Sequence, residues 1–196
     1  DLAGQRLDTF RHGWSWFSAD QRARIVRALV DLADASFEVN FDAIFRHCLE
    51  DSDSEVRAAA ANGLWESDSV NLIGPFLNML RSDPSPEVRS AAASGLGRYV
   101  LAGELEQLEA AVSSRIVMEL LTVIHLSGES VRVRRRAVES VAYACTGDVL
   151  EALELAYYDD DEELRLSALV GMGRSCDRRW EPIVLDEMNS SSPALR

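Results

Sequence analysis

The sequence predicts an all-α fold, an α-α superhelix of about five helix pairs stacked as a solenoid. Three observations predict it. A short block recurs along the chain, apolar residues within each copy follow the helical period, and no strand alternation or hairpin turn competes with them. The copies are Glu55-Val56-Arg57-Ala58-Ala59-Ala60, Glu87-Val88-Arg89-Ser90-Ala91-Ala92, Arg132-Val133-Arg134-Arg135-Arg136-Ala137 and Glu163-Leu164-Arg165-Leu166-Ser167-Ala168. Their aliphatic position falls at Val56, Val88, Val133 and Leu164, at intervals of 32, 45 and 31 residues. A further 31 residues lead to Leu195, followed by Arg196, so the array is expected to be a piece of a longer protein, cut within its last repeat.

Each block reads as the second helix of a pair. Val56, Ala60, Gly63 and Leu64 make one apolar stripe, repeated by Val88, Ala92, Gly95 and Leu96, by Val133, Ala137, Ser140 and Val141, and by Leu164, Ala168, Gly171 and Met172. The small residue recurring in the third slot is what close helix packing requires. Helix starts are expected at Ser52, three before Glu55, at Ser85-Pro86, and along the acidic run Asp159 to Glu163, where carboxylates meet the positive end of the helix dipole. First helices are expected around Phe41, Ile44, Phe45, Cys48 and Leu49, around Leu72, Ile73, Phe76, Leu77 and Leu80, around Leu150, Leu153, Glu154 and Tyr157, and around Trp180, Ile183, Val184, Glu187 and Met188. The long interval predicts a short extra helix over 103–112, then one capped by Ser113 or Ser114 that runs to about Leu126. At the N-terminus, Leu7, Phe10, Trp14 and Phe17 line one helix face, and Ser18 with Gln21 forms a capping box that opens a helix to about Ala33. Residues 1–35 are expected to be atypical capping helices and residues 36–196 the repeat array, in a single solenoid domain.

Composition narrows the chemistry. The 196 residues are 47% hydrophobic, as in ordinary globular proteins, and carry a net charge of −13. That charge repels a phosphate backbone, which disfavours nucleic acid as a partner. No apolar run reaches the ~18 residues of a membrane-spanning helix, and Asp1-Leu2-Ala3-Gly4-Gln5-Arg6 does not begin a leader sequence. All 20 basic residues are arginine, as codon usage in a GC-rich genome would give. A phosphate-loop lysine, a pyridoxal Schiff base and a Ser–Lys dyad are therefore excluded within these residues. Cys48, Cys145 and Cys176 are odd in number and widely spaced, which fits a reducing, cytoplasmic setting and not a disulfide framework.

An aspartate precedes the recurrent arginine by six residues in three repeats: Asp51/Arg57, Asp83/Arg89 and Asp159/Arg165. With the blocks above, this pattern resembles HEAT repeats, of the short bacterial type also found in phycobilin lyases, over roughly residues 36–196. The third repeat departs from it, with Gly128 before Arg134, and the last has Ser190 before Arg196. The resemblance implies a HEAT/armadillo-like solenoid in which these aspartates and arginines form a structural ladder between neighbouring repeats. It also implies that the second helices line the concave side, where the repeat alignment places Asn62, Glu66, Arg98, Arg135, Glu139, Tyr143 and Arg174 as an exposed stripe. Both signs of charge with an aromatic suit a protein or peptide partner, and the function expected is a non-enzymatic interaction scaffold.

Other candidates are weighed against plain structural roles. Trp65 stands where other repeats have Gly97, Ala142 and Gly173, so it is either a partner anchor or a cover for the seam between terminal repeats. Trp14 is expected in the core and Trp16 off it. Arg132, Arg134, Arg135 and Arg136 crowd a helix start, where the dipole opposes cations; Arg135 and Arg136 are candidates to grip a carboxylate or phosphate. Cys145 and Cys176 occupy one equivalent slot, and Arg174, Arg178 and Arg179 flank Cys176, which keeps a chromophore-attaching thiol as an alternative. His12, His47 and His125 lack metal-ligand spacing, and the His-Glu pairs of the HEAT-like deoxyhypusine hydroxylases are absent, so no metal or cofactor is expected.

Overall fold

A computed structural model describes residues 5–36 and 39–196; residues 1–4, read above for a leader, lie outside the described residues. Among the described residues there are eleven α-helices and no strand. By compactness the chain divides after Gly95 into an N-terminal and a C-terminal half. The first half holds α1 (Gln5–Trp14), α2 (Ala19–Ala35), α3 (Asp42–Cys48), α4 (Ser54–Gly63), α5 (Ile73–Ser82) and the start of α6 (Pro86–Glu104). The second holds the rest of α6, then α7 (Ala110–His125), α8 (Val131–Val141), α9 (Gly147–Tyr157), α10 (Glu162–Ser175) and α11 (Glu181–Glu187).

The expected stripes form the core. Val56, Ala60, Val88, Ala92, Val133, Ala137, Leu164 and Ala168 are all fully buried. In the N-terminal half α4 packs on both α3 and α2. In the C-terminal half α8 packs on α7 and α10, and α9 on α10. First helix lies on second helix, and second helices lie side by side, which is the solenoid mode of packing. Phe45 and Phe76 each fill the space over a glycine. A Cβ built on Gly63 would stand 2.8 Å from the Phe45 ring, and one on Gly95 would stand 2.8 Å from the Phe76 ring. Burying each phenyl ring stabilises the fold by about 1.5–3 kcal/mol. Gly97 of α6 meets Ser140 of α8 in the same close way, with a built Cβ only 2.9 Å from Ser140 Oγ.

Several local expectations are corrected. The cap of α4 is Asp53, not Ser52; its carboxylate accepts from the Glu55 and Val56 amides. An Asp side chain one residue nearer the helix reaches two orphan amides at once. Asp161 caps α10 within the acidic run, and Ser130 caps α8. The extra length of the third repeat forms no separate helix over 103–112. It lengthens α6 to 19 residues and α7 to 16. Glu109, not Ser113 or Ser114, is the N-cap residue of α7, and Ser113 instead fills the space facing Gly103. Along α11 only part of the expected stripe is covered. Trp180 and Glu187 are buried, while Val184 and Met188 are exposed. The capping box of Ser18 and Gln21 is present, and Trp14 is buried while Trp16 is 75% exposed.

Two glycines separate packing from propensity. Gly63→Ala pushes a methyl group into Phe45 and into Val30, whose Cγ2 would lie 2.9 Å away, and is expected to cost about 1–3 kcal/mol. Gly173, in α10, has no neighbour within 4 Å of a built Cβ, so Gly173→Ala is expected to gain about 0.5–1 kcal/mol of helix stability. Urea unfolding of the two variants checks both signs; equal effects would contradict the packing account.

Candidate interaction surface

The charged residues nearest the helix junctions are bonded to one another before they meet any partner. Two nitrogens of Arg22 lie 2.9 Å from the two oxygens of Asp51, and Trp14 Nε1 donates to the same carboxylate at 2.7 Å. Arg57 donates to both oxygens of Asp83, at 2.8 and 2.9 Å, and to its own repeat's Asp51 carbonyl at 2.8 Å. Arg89 repeats the second contact on the Asp83 carbonyl at 2.7 Å. In the C-terminal half Arg134 reaches Asp159 at 3.2 Å and the Ile124 carbonyl at 3.0 Å, and Arg165 reaches Glu187 at 3.4 Å. Arg22, Arg57 and Arg134 each clamp a nearby backbone carbonyl and extend to a carboxylate of the next repeat, while Arg89 shows the first of these contacts and Arg165 the second.

Two members of this series were not read from the sequence. Arg22 sits four residues after its cap Ser18, as Arg57, Arg134 and Arg165 sit four after Asp53, Ser130 and Asp161. That register was the available signal. Gln21 hid it, standing where the other blocks carry Val or Leu. Glu187 takes the carboxylate role that Ser190 lacks, and accepts from Tyr157 at 2.7 Å as well. Its signal was a lone acid on an apolar stripe.

These bonds set the acid behaviour. Burial pushes the Asp51 carboxyl up, but the Asp53 amide, Arg22 and Trp14 outweigh it and hold the group below its ordinary value. Asp83 is likewise raised by burial and lowered further by Arg57 and the Ser85 amide. The Glu187 bond raises Tyr157 to about 12.

The stripe expected to be open is partly covered. Glu139 is buried, not exposed: Ser167 donates to it at 2.8 Å and Arg136 at 2.7 Å. Arg135 is half-buried, bonded to Ser167 Oγ at 3.1 Å and ion-paired with Glu163. The reason is the side-by-side packing of α8 and α10, which lays Ser167 across the face bearing Arg135 and Glu139. Glu163 and Ser167 were missed because they lie one repeat away. Tyr143 is half-buried under Arg174, whose guanidinium carbon stands 5.2 Å from the ring centroid and whose Nη1 donates to the Glu139 carbonyl at 2.6 Å. Arg98, Arg136 and Arg174 remain exposed in this half. In the N-terminal half Asn62, Trp65 and Glu66 are exposed, and Trp65 Nε1 donates to Asp34 at 3.1 Å.

The cysteines are unalike. Cys48 is fully buried, and burial first, with Asp51 adding to it, pushes its thiol up to about 12. Cys145 and Cys176 are exposed. Two of the three cations flanking Cys176 are engaged elsewhere: Arg174 lies on Tyr143, and Arg179 pairs with Asp177 at 3.2 Å and lies over Trp180. Among the described residues no group of three or more His, Cys, Asp or Glu is placed to hold a metal ion, and no helix is long and apolar enough to cross a membrane.

Helix pairs packed in register, with arginine–carboxylate bonds from one repeat to the next, define an α-helical repeat protein. The chain belongs to the HEAT-repeat family: HEAT repeats match it over residues 18–97 and again over 41–122, together more than half its length. The match begins at the cap of α2, where Arg22 joins the ladder. No curated protein sequence matches the chain.

Removing one ladder partner strands the other. Arg57 and Asp83 side chains are 13% and 9% exposed, so Arg57→Met is expected to cost about 2–4 kcal/mol, somewhat under a wholly buried pair. Asp51 and Asp83 titrate lower folded than unfolded, so their contribution is complete above the unfolded value near ~4 and is lost as pH falls through the depressed folded values. Urea midpoints measured across that window should fall more steeply for the native chain than for Asp51→Asn/Asp83→Asn; parallel curves would refute the linkage. With a chromogenic disulfide reagent, Cys145 and Cys176 should react in the native protein and Cys48 only after unfolding.

Proposed function

We propose that the chain is a non-enzymatic protein–protein interaction scaffold that recognises a protein or peptide partner along the exposed ends of its second helices. HEAT repeats are an interaction type of fold, and that coarse reading agrees with the family. The observation that carries the finer one is the Tyr143–Arg174 pair, an aromatic and an arginine stacked 5.2 Å apart and fixed by a 2.6 Å bond to the Glu139 carbonyl. Tyrosine and arginine dominate binding energy at interfaces, and side chains already held in one rotamer lose little entropy when a partner arrives. Arg98 and Arg136 flank this reading with positive charge in the same half. In the N-terminal half Asn62, Trp65 and Glu66 are the corresponding contacts. A reducing, cytoplasmic compartment suits the three free thiols.

The arginine cluster supports this reading over nucleic-acid binding. Arg134, Arg135 and Arg136 each meet a carboxylate, so the patch offers a polyanion less charge than its sequence implies. The engagement of Arg174 and Arg179, two of the three cations flanking Cys176, counts against a phycobilin-lyase-like role.

Tyr143→Ala and Arg174→Ala each remove an exposed or half-exposed contact and leave the buried Glu139–Ser167 bond in place. Captured partners should drop by at least about tenfold with either variant, while circular dichroism and melting stay near native, since hot-spot losses run to 2 kcal/mol or more. An unchanged set of captured proteins would remove this surface from the scaffold. A visible absorbance band in the purified protein would point to the ligand-carrier alternative instead.

A further inference from the structure

A cavity of about 250 Å³ opens in the N-terminal half between the end of α2, the start of α3 and the turn after α4. Phe41, Phe45 and Trp65 are the aromatic residues of its lining. The indole is 57% exposed, although the equivalent slot in other repeats holds a glycine or alanine. Its Nε1–H donates to Asp34, which fixes the ring's edge and leaves more than half its surface open. An aromatic that merely sealed a seam would be covered.

Every charged residue in the described lining is acidic. Asp34, Asp42, Glu66 and Asp68 all line the cavity, and among the described residues no arginine or histidine lines it. Among the described residues none of these four carboxylates has a basic partner, whereas the ladder acids Asp51, Asp83, Asp159 and Glu187 each hold an arginine. The contrast is informative. Four carboxylates gathered in one concave site repel one another, and a cation entering it would relieve that repulsion. Asp42 is held by the Ser67 hydroxyl at 2.6 Å, so part of the acidic wall is positioned in advance.

An aromatic face beside carboxylates in a cleft selects a planar, extended cation. A guanidinium can stack on the indole while its N–H fork meets a carboxylate, and its three-carbon stem can pack against the apolar residues of the lining. We infer that this cavity receives an arginine side chain from a basic segment of a protein partner. The inference rests on the scaffold reading and specifies the partner's chemistry at one of its contacts: the partner brings positive charge to the N-terminal half.

The test uses the whole chain and a small probe, N-acetyl-arginine amide, at about 0.15 M salt to suppress non-specific attraction to the acidic protein. The readout is the Trp65 indole N–H resonance, assigned by its loss in Trp65→Phe, with the exposed Trp16 as an internal control. A saturable shift of Trp65 is expected, with a dissociation constant of about 1–10 mM, as befits a single side chain. N-acetyl-citrulline amide, the neutral isostere, should bind at least about tenfold more weakly, because only the charged fork gains from the carboxylates. Asp34→Asn/Glu66→Gln should weaken the arginine probe by a similar factor while leaving the fold intact, since both positions are exposed. Absence of a saturable Trp65 shift, equal binding of citrulline, or an unchanged response in the double variant would each overturn the inference. These outcomes are independent of Tyr143 and Arg174. A silent pocket with partner loss in those variants would keep the scaffold reading and discard this site. A responsive pocket with unchanged capture would do the reverse.

Discussion

The bond between a ladder arginine and the carboxylate of the next repeat is the constraint on which the rest depends. The area term of apolar burial is indifferent to direction. The bidentate contact of Arg57 with Asp83 is directional, and its third nitrogen is spent on the Asp51 carbonyl of its own repeat. One side chain therefore sets both the local turn and the register of its neighbour. Arg22 with Asp51 and Arg134 with Asp159 do the same work elsewhere. Where the aspartate is replaced, the fold recruits Glu187 from a different helix position and ties it to Tyr157 as well as Arg165.

Much of the fold was legible because repetition multiplies weak signals. One Val-Arg pair means little, but four at the same place in a helical stripe report stacking. The stripes built on Val56, Val88, Val133 and Leu164 are buried as read, and the helix boundaries missed were those set by local chemistry. Asp53 outcompetes the neighbouring Ser52 as a cap because of where its oxygen falls relative to free amides. That is a geometric fact with no signature in residue type. The extra length of the third repeat went into longer helices, which meet where Ser113 faces Gly103, a contact between residues ten apart that periodicity alone does not reveal.

The surface was less legible, and the reason is specific. A stripe drawn from one helix ignores the helix beside it. Arg135 and Glu139 share a face of α8 and Tyr143 follows just past its end, yet α10 brings Ser167 and Arg174 up to these residues and Glu163 up to Arg135. What looked like mixed exposed charge is largely an internal circuit, with Glu139 at its centre. Trp65 was recognisable as an exception to its slot, but its acidic surroundings come from three separate stretches of chain and meet only on folding. The net charge of −13 is thus unevenly spent: near α8 carboxylates quench arginines, and near Trp65 they have none to quench.

The meeting of Gly97 and Ser140 shows how such an array can drift in sequence. Ser140 stands in a slot that is glycine in the other repeats, and it is accommodated where Gly97 contributes no side chain at all. The two positions share one small volume between two helices, so an atom added on one side must be withdrawn on the other. Substitutions here are therefore tied in pairs, and a lineage can cross from Gly–Ser to Ser–Gly only through an overfilled or a hollow intermediate. Such seams act as molecular bookmarks: each pair of adjoining helices keeps its own complementary fit, and a repeat copied from elsewhere in the chain would not seat in its neighbour's place without carrying the matching half with it.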